Sequence, residues 1–385
     1  MTTRKELELY IHIPFCVKKC NYCDFLSFFA GANEREQYVQ ALLQQIEKQK
    51  VVAQTYEVTT IFIGGGTPSL LEIEQMQRIF MKLHEIFRIR QEAEITIEIN
   101  PATVTKRKMQ SYRKMGINRL SIGLQSANEV ELQLLGRIHT YQEFYSTFLQ
   151  AREAEFTNIN IDFISAIPGQ SVASWKDNLE KVVSLEPEHI SVYSLMIEEG
   201  TPFYEWYGDN GMSPPYGVAA IPSEDELLKM DELTESILAK HAYVRYEISN
   251  YAKKGYACAH NLGYWDRKEY MGLGLGAASY INGIRLKNTS NMSDYLKNAE
   301  AVEDRHVLSV EEQMEEFCFL GLRKMQGISE VEFQEQFGKS LQKVYAQEIE
   351  MLQKEGLLIQ EQTRFHLTKR GAELGNYVFE QFIMF

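Results

Sequence analysis

An α/β fold on parallel strands, followed by a smaller helical, winged module, is what the sequence predicts. Two observations carry this prediction. Strand-like runs alternate six times with amphipathic helical patterns, which is the mark of parallel βαβ units. A final portion from about Ser309 then reads helix, helix, helix, β-hairpin and closing helix. Taken alone, the alternation fits either a barrel or a doubly wound sheet.

The expected strands are "ELYIHI" (8–13), "TTIFI" (59–63), "EITIEI" (94–99), "RLSIGL" (119–124), "NINIDFI" (158–164) and "HISVYSL" (189–195). Each has the period-two alternation of a strand or a short β-branched run. Between them lie helical patterns such as "REQYVQALLQQIEKQK" (35–50), "LLEIEQMQRIFMKLHEIF" (70–87) and "SWKDNLEKVVSL" (174–185). After the sixth strand a turn-rich stretch, "GDNGMSPPYG" (208–217), precedes a long helix ending near Lys240. Expected domains are a core at 1–245, a connecting segment rich in glycine and aromatics at 246–305, and the winged module at 306–385, whose hairpin is "GLLIQEQTRFHLT" (356–368).

The totals exclude several classes. In 385 residues, 44% hydrophobic and 24% charged, no apolar run approaches a membrane span. The chain enters its first strand almost at once, so no signal peptide is expected and the reading is cytoplasmic. A formal net charge of -13 argues against a nucleic-acid binder, and the winged module lacks a basic stripe. It is therefore expected to pack on the core. Five cysteines are an odd count without an export signal, which disfavours a disulfide framework.

Three of those cysteines crowd into "YIHIPFCVKKCNYCDF", beginning at Tyr10. Cys16, Cys20 and Cys23 could hold zinc or an iron–sulfur cluster. Structural zinc wants four ligands, and no second cysteine pair follows at ribbon spacing. His12 is a candidate fourth, but it sits within the first strand. A cubane held by three cysteines leaves one iron open to a small molecule. The other chemistry-bearing residues also fall at strand ends, where parallel barrels place their sites. "GGGTP" (64–68) follows the second strand, Glu98 ends the third, Gln125 ends the fourth and Asp162 lies in the fifth. Glycines there let a ligand approach the backbone.

"CVKKCNYC" after the first strand and "GGGTP" after the second resemble the radical S-adenosylmethionine superfamily. The resemblance implies a partial (β/α)6 barrel carrying a [4Fe-4S] cluster on Cys16, Cys20 and Cys23. The open iron would be chelated by the amino and carboxylate groups of S-adenosylmethionine. One electron from the cluster would then cleave the sulfonium to a 5′-deoxyadenosyl radical. The pattern is most similar to the coproporphyrinogen-oxidase-like branch, which contains anaerobic porphyrinogen oxidases and heme chaperones. It implies that Tyr10 and Tyr22 contact S-adenosylmethionine and that Gly65, Gly66 and Thr67 bind its amino-acid end. Glu98, Gln125, Arg137 and Asp162 would hold its carboxylate, its ribose or a second cofactor molecule, for which a guanidinium and carboxylates are apt.

Two departures divide the branch. The oxidases carry a further cysteine where this chain has Phe25, and an N-terminal extension where this chain has almost none. Conversely, "HNLGYW" (260–265) matches the His-Asn-x-x-Tyr-Trp motif typical of the heme chaperones. His260 is then the expected heme-iron ligand, with Cys258 as a rival thiolate and Tyr264 and Trp265 as flat area for the macrocycle. Lys253, Lys254 and Arg267 are the nearby cations for its propionates. "GLGLGAAS" (272–279) is a poor dinucleotide fingerprint, since no βαβ unit follows. The resemblance implies heme, recipient hemoproteins such as respiratory enzymes, and an electron donor for the cluster as partners; a homodimer stays open. The rival reading is an enzyme, an oxygen-independent coproporphyrinogen III oxidase of porphyrin biosynthesis, so whether the chain turns over a substrate is left open.

Overall fold

The structure is a computed structural model that describes residues 4–208 and 220–383. Most of the expected turn-rich stretch lies outside the described residues. Six parallel strands stand in sequence order: β1 (Lys5–Ile13), β2 (Tyr56–Gly65), β3 (Ile89–Ile99), β4 (Arg119–Gln125), β5 (Ile159–Ser165) and β6 (His189–Ser194). Helices Ala32–Lys48, Ile73–Ile86, Lys106–Lys114, Tyr141–Glu153 and Val172–Val183 make the crossovers. This is the partial barrel expected.

Alternation explains both faces. Leu7, Leu9, Ile11 and Ile13 of β1 pack under the helices with Ile61, Ile63, Ile95, Ile97, Leu120 and Ile122. The intervening positions face a polar lumen, where Glu8, Thr60, Thr96, Arg119, Ser121, Asn160, His189 and Ser191 are all buried. Register places them in neighbouring pairs: Glu8 beside Thr60, Thr96 beside Arg119, Ser121 beside Asn160 and Asp162 beside Ser191. Helix starts follow local chemistry. Thr140 accepts a hydrogen bond from Glu143 N at 3.2 Å while the Glu143 carboxylate takes Thr140 N at 2.8 Å, a reciprocal cap.

The segment expected as a connector extends this sheet to twelve strands. Short β7 (Val244–Arg245) and β8 (Asn250–Ala252) add antiparallel beside β6. β9 (Tyr270–Leu273) adds parallel to β1, followed by the antiparallel β10 (Ala278–Ile281), β11 (Ile284–Asn288) and β12 (Val302–Val307). These strands are too short for alternation to reveal them, and Gly272 is needed where a Cβ would stand 2.1 Å from the Ala278 carbonyl oxygen.

The C-terminal part has its own core around Cys318, Phe333, Leu352 and Phe365. Its helix Val310–Gly321 is followed by β13 (Ile328–Ser329), further helices, and the expected hairpin of β14 (Leu358–Glu361) and β15 (Arg364–Leu367). β13 pairs with β15, making a three-stranded wing. The closing helix is two short pieces, Lys369–Glu373 and Gly375–Glu380. No helix among the described residues is long and apolar enough to cross a membrane.

Candidate functional site

The loop after β1 is folded back on itself by two backbone hydrogen bonds, Cys16 N to Phe28 O (3.0 Å) and Phe28 N to Pro14 O (2.9 Å). Buried Phe15 pins it, edge-on to Tyr38 at 5.1 Å. The three thiols of this loop border one cavity of about 430 Å³ at the C-terminal strand ends. The same cavity is lined by Tyr22, Gly65, Gly66 and Thr67, and across it by Glu98, Gln125, Arg137 and Asp162. Eleven of the twelve residues expected at the cluster and the S-adenosylmethionine site thus meet in one place; Tyr10 does not, and His260, the expected heme ligand, lies elsewhere.

Each strand end aims its residue by a local device. Glu98 Oε2 accepts a hydrogen bond from Gly65 N at 3.1 Å, and Gly64 is required beside it, because a Cβ there would lie 2.9 Å from the same oxygen. Burial, then the neighbouring Asp162, pushes the Glu98 carboxyl up to about 8. Burial also raises Asp162, against hydrogen bonds of 2.8 Å from Ser121 Oγ and from Asn160 Nδ2 that hold it down. Gln125 turns into the cavity from a bulge in β4, with φ of 72°. Arg137 reaches in from beyond the next short helix and donates to the Gly123 carbonyl at 2.7 Å and to Cys20 Sγ at 3.6 Å. Cys16 Sγ lies 3.6 Å from Thr67 Oγ1, and burial pushes the Cys23 thiol up to about 11.

The donor set fits a cluster better than a single ion. Among the described residues no three His, Cys, Asp or Glu side chains converge tightly enough for one metal ion. A cubane instead takes each thiolate at a different corner, which three thiols around one cavity can offer. His12 has no free nitrogen for a fourth ligand, since its ring meets Leu26 O at 2.9 Å and Tyr10 OH at 3.0 Å. Tyr10 points into the lumen below the cavity, near Phe62.

His260 has a different setting. The helix Ala259–Trp265 closes the lower end of the barrel, and His260 is 1% exposed within it. Its Nδ1 meets Thr60 Oγ1 at 2.7 Å and its Nε2 meets Tyr264 OH at 3.2 Å, while its ring stacks on Phe62 at 5.2 Å. Burial drives its pKa down to about 3, so the imidazole is neutral. Glu8 Oε2 lies 3.8 Å away, but burial raises that carboxyl to about 8, so the two form no ion pair near neutrality. Glu94 receives the amides of Ala259 and His260 and faces Cys258 Sγ at 3.4 Å. Cys258 is fully buried and its thiol is pushed up to about 12 by that burial, which makes it a poor thiolate. Trp265 lies under the Arg323 guanidinium, 5.0 Å away, from the C-terminal part. Of the cations expected for propionates, Arg267 is instead buried against Glu316 at 3.0 Å.

The comparisons with known proteins agree with this geometry. Residues 10–182 match the Radical SAM superfamily, and residues 308–374 match the HemN C-terminal domain. A heme chaperone HemW from Lactococcus lactis is 36% identical over 99% of this chain and 98% of its own length. The chain belongs to the HemW family. A second HemW, from Bacillus subtilis, is 35% identical over 97% of this chain and 98% of its own. Among solved structures, the coproporphyrinogen III oxidase HemN of Escherichia coli, a radical SAM enzyme, superposes with a TM-score of 0.86. It covers 98% of this chain and 90% of that one at 24% identity, a likeness of fold. Membership of the HemW family within the radical SAM superfamily implies a [4Fe-4S] cluster and S-adenosylmethionine as cofactors.

Asn100 is a cavity residue that the sequence reading did not single out. It bridges Thr67 and Arg137, and its only sequence signal is the "NP" that ends β3.

Proposed function

We propose that this chain is a cytoplasmic heme chaperone that binds heme and passes it to hemoproteins such as respiratory enzymes. One observation carries the reading: HemW relatives, heme chaperones by name, match it from end to end, in a chain that has Phe25 where the related oxidases place a further cysteine. Cys16, Cys20 and Cys23 would hold the cluster, with an external electron donor. Gly65, Gly66 and Thr67 would bind the amino-acid end of S-adenosylmethionine, and Glu98, Gln125, Arg137 and Asp162 its carboxylate and ribose. When bound, these cofactors supply one-electron chemistry at a sulfonium. The chain's own part is to orient them and to hold beside them the Glu98 carboxyl, which burial pushes up to about 8.

His260 is the proposed heme-iron ligand, and its neutrality suits that role. Its burial sets a condition: Thr60 must release Nδ1, or Tyr264 must release Nε2, before iron can reach that nitrogen. The test is a heme titration of wild type beside His260→Ala and Cys258→Ala. Loss of the heme absorbance shift in the histidine variant alone supports the assignment. Loss in the Cys258 variant alone moves the ligand to sulfur. No heme binding in any form, with conversion of coproporphyrinogen by the reconstituted chain, would give the protein to the rival oxidase reading.

A further inference from the structure

Five polar groups run in an unbroken arc from one cysteine of the loop to another. Arg137 donates from Nη1 to Cys20 Sγ at 3.6 Å and from Nη2 to Asn100 Oδ1. Asn100 Nδ2 donates to Thr67 Oγ1 at 2.8 Å, and Thr67 Oγ1 lies 3.6 Å from Cys16 Sγ. The direction of the bonds from Arg137 as far as Thr67 follows from the charged end. A guanidinium has only donors, so the amide atom facing Arg137 is the oxygen. The amide nitrogen then faces Thr67 and donates to it. Thr67 Oγ1 accepts that bond on one of its two lone pairs; a cluster-bound Cys16 thiolate has no hydrogen to give, so toward it the Thr67 hydroxyl is the donor.

The surroundings hold the arc in place. Thr103 donates to the Asn100 carbonyl from both Oγ1 (2.7 Å) and N (3.2 Å), and Ser69 Oγ meets Thr103 Oγ1 at 2.7 Å. Gly123 leaves the room, since a Cβ there would stand 3.0 Å from Asn100 Oδ1 and 3.3 Å from Arg137 Nη2. Thr67 itself is 2% exposed, so water does not compete for its hydroxyl.

We infer that Asn100 is a positioning residue that, through Thr67, keeps a hydrogen-bond donor on the Cys16 sulfur and so raises the reduction potential of the cluster. The inference rests on the reading that Cys16, Cys20 and Cys23 hold that cluster. Hydrogen bonds to cluster sulfurs stabilise the more negative, reduced form, and groups one layer out from the ligands set those bonds. Cys20 gets its donor directly from Arg137; Cys16 gets one only if Asn100 fixes the Thr67 hydroxyl.

The experiment uses the full chain, reconstituted anaerobically without S-adenosylmethionine, with iron counted and the cluster midpoint potential followed by paramagnetic resonance in a redox titration. Thr67→Val removes the donor and should give a more negative midpoint at unchanged iron content, whereas Thr67→Ser should keep the wild-type value. Asn100→Asp cannot donate, so the Thr67 hydroxyl turns to the new carboxylate and leaves Cys16. Its drop in potential should therefore be larger with Thr67 present than in the Thr67→Val background, where only the added charge acts. Equal drops in the two backgrounds, or an unchanged midpoint in Thr67→Val with full iron, would overturn the proposal. Loss of iron in Thr67→Val but not in Thr67→Ser would overturn it too, by making the hydroxyl a folding contact. A wild-type chain that takes up no iron refutes the underlying cluster reading, and that failure shows in the iron count before any potential is measured.

Discussion

Glu98 and Glu8 bind their protons more tightly in the folded chain than out of it. Burial raises both carboxyls to about 8 from an ordinary 4.5, so across that window the folded state holds more protons and stability falls as pH rises. The buried histidines act in the opposite sense. His139 and His260 are driven down to about 3 by burial, so their contribution is full above the ordinary histidine value and is lost as pH falls. Above about pH 7 the histidine contribution is constant, and the carboxyls act there in the same sense as the Cys23 and Cys258 thiols, which burial pushes up to about 11 and about 12. The melting temperature of the cofactor-free chain should therefore fall between about pH 7 and 9, and Glu8→Gln with Glu98→Gln should flatten that slope. An unchanged slope in the double variant would show that these carboxyls titrate normally. For the loop, Cys16→Ser, Cys20→Ser or Cys23→Ser should abolish the cluster absorbance, while Cys258→Ala and Cys318→Ala, buried elsewhere, should keep it. The cysteine loop, the "GGGTP" glycines, Glu98, Gln125 and Asp162 were legible in the sequence because barrel strand ends and cysteine spacing are local signals, whereas Tyr22 and Arg137 were reached only through the family resemblance. Asn100 was not, because its partners Thr67 and Arg137 lie 33 and 37 positions away.

Among the elements, the helix Ala259–Trp265 is the one whose setting the sequence pattern does not show. "HNLGYW" reads as a ligand-binding stretch, since a histidine beside flat aromatics suits a macrocycle. The structure seats it as the floor of the barrel, a placement made by β1, β2 and β3 contacts that no local pattern records. Gly263 is the tell-tale position. An added Cβ would stand 1.8 Å from Glu8 Oε1, although alanine is the better helix former by about 1 kcal/mol. Gly263→Ala should accordingly destabilise the chain, by about 1–3 kcal/mol from overpacking. Urea unfolding would read this, and Glu8→Ala in the same chain should return most of the loss, since the two sites touch. A stabilised Gly263→Ala would mean that the helix is not seated on Glu8. The short strands β7 to β12 were illegible for a similar reason: most take their place from pairing partners rather than from alternation within two to six residues.

At the scale of the molecule, Glu316 is the residue that joins the C-terminal module to the barrel. It is buried, and its carboxylate takes Arg267 at 3.0 Å and Arg285 at 2.7 Å, one from the turn after the barrel floor and one from β11. Arg323 adds a second joint, lying 5.0 Å from both Trp265 and Phe379. The acidic winged module was expected to pack on the core, and these contacts show the chemistry of the packing: a buried carboxylate between two arginines that lie over Tyr280, and a guanidinium over Trp265 of the motif helix. Breaking a buried pair leaves an uncompensated charge, which costs about 3–5 kcal/mol, whereas an exposed pair is worth about 0–1 kcal/mol. Glu311 supplies the exposed comparison on the same helix, since its pair with Lys339 spans 3.8 Å between half-exposed side chains. Glu316→Ala should therefore lower the urea midpoint strongly and expose the joint near residue 308 to limited proteolysis, while Glu311→Ala should do neither. Glu316→Gln, which keeps hydrogen-bond acceptance without the charge, should fall between them. Equal behaviour of the Glu316→Ala and Glu311→Ala variants would mean that apolar contact, and not the buried charges, holds the module in place.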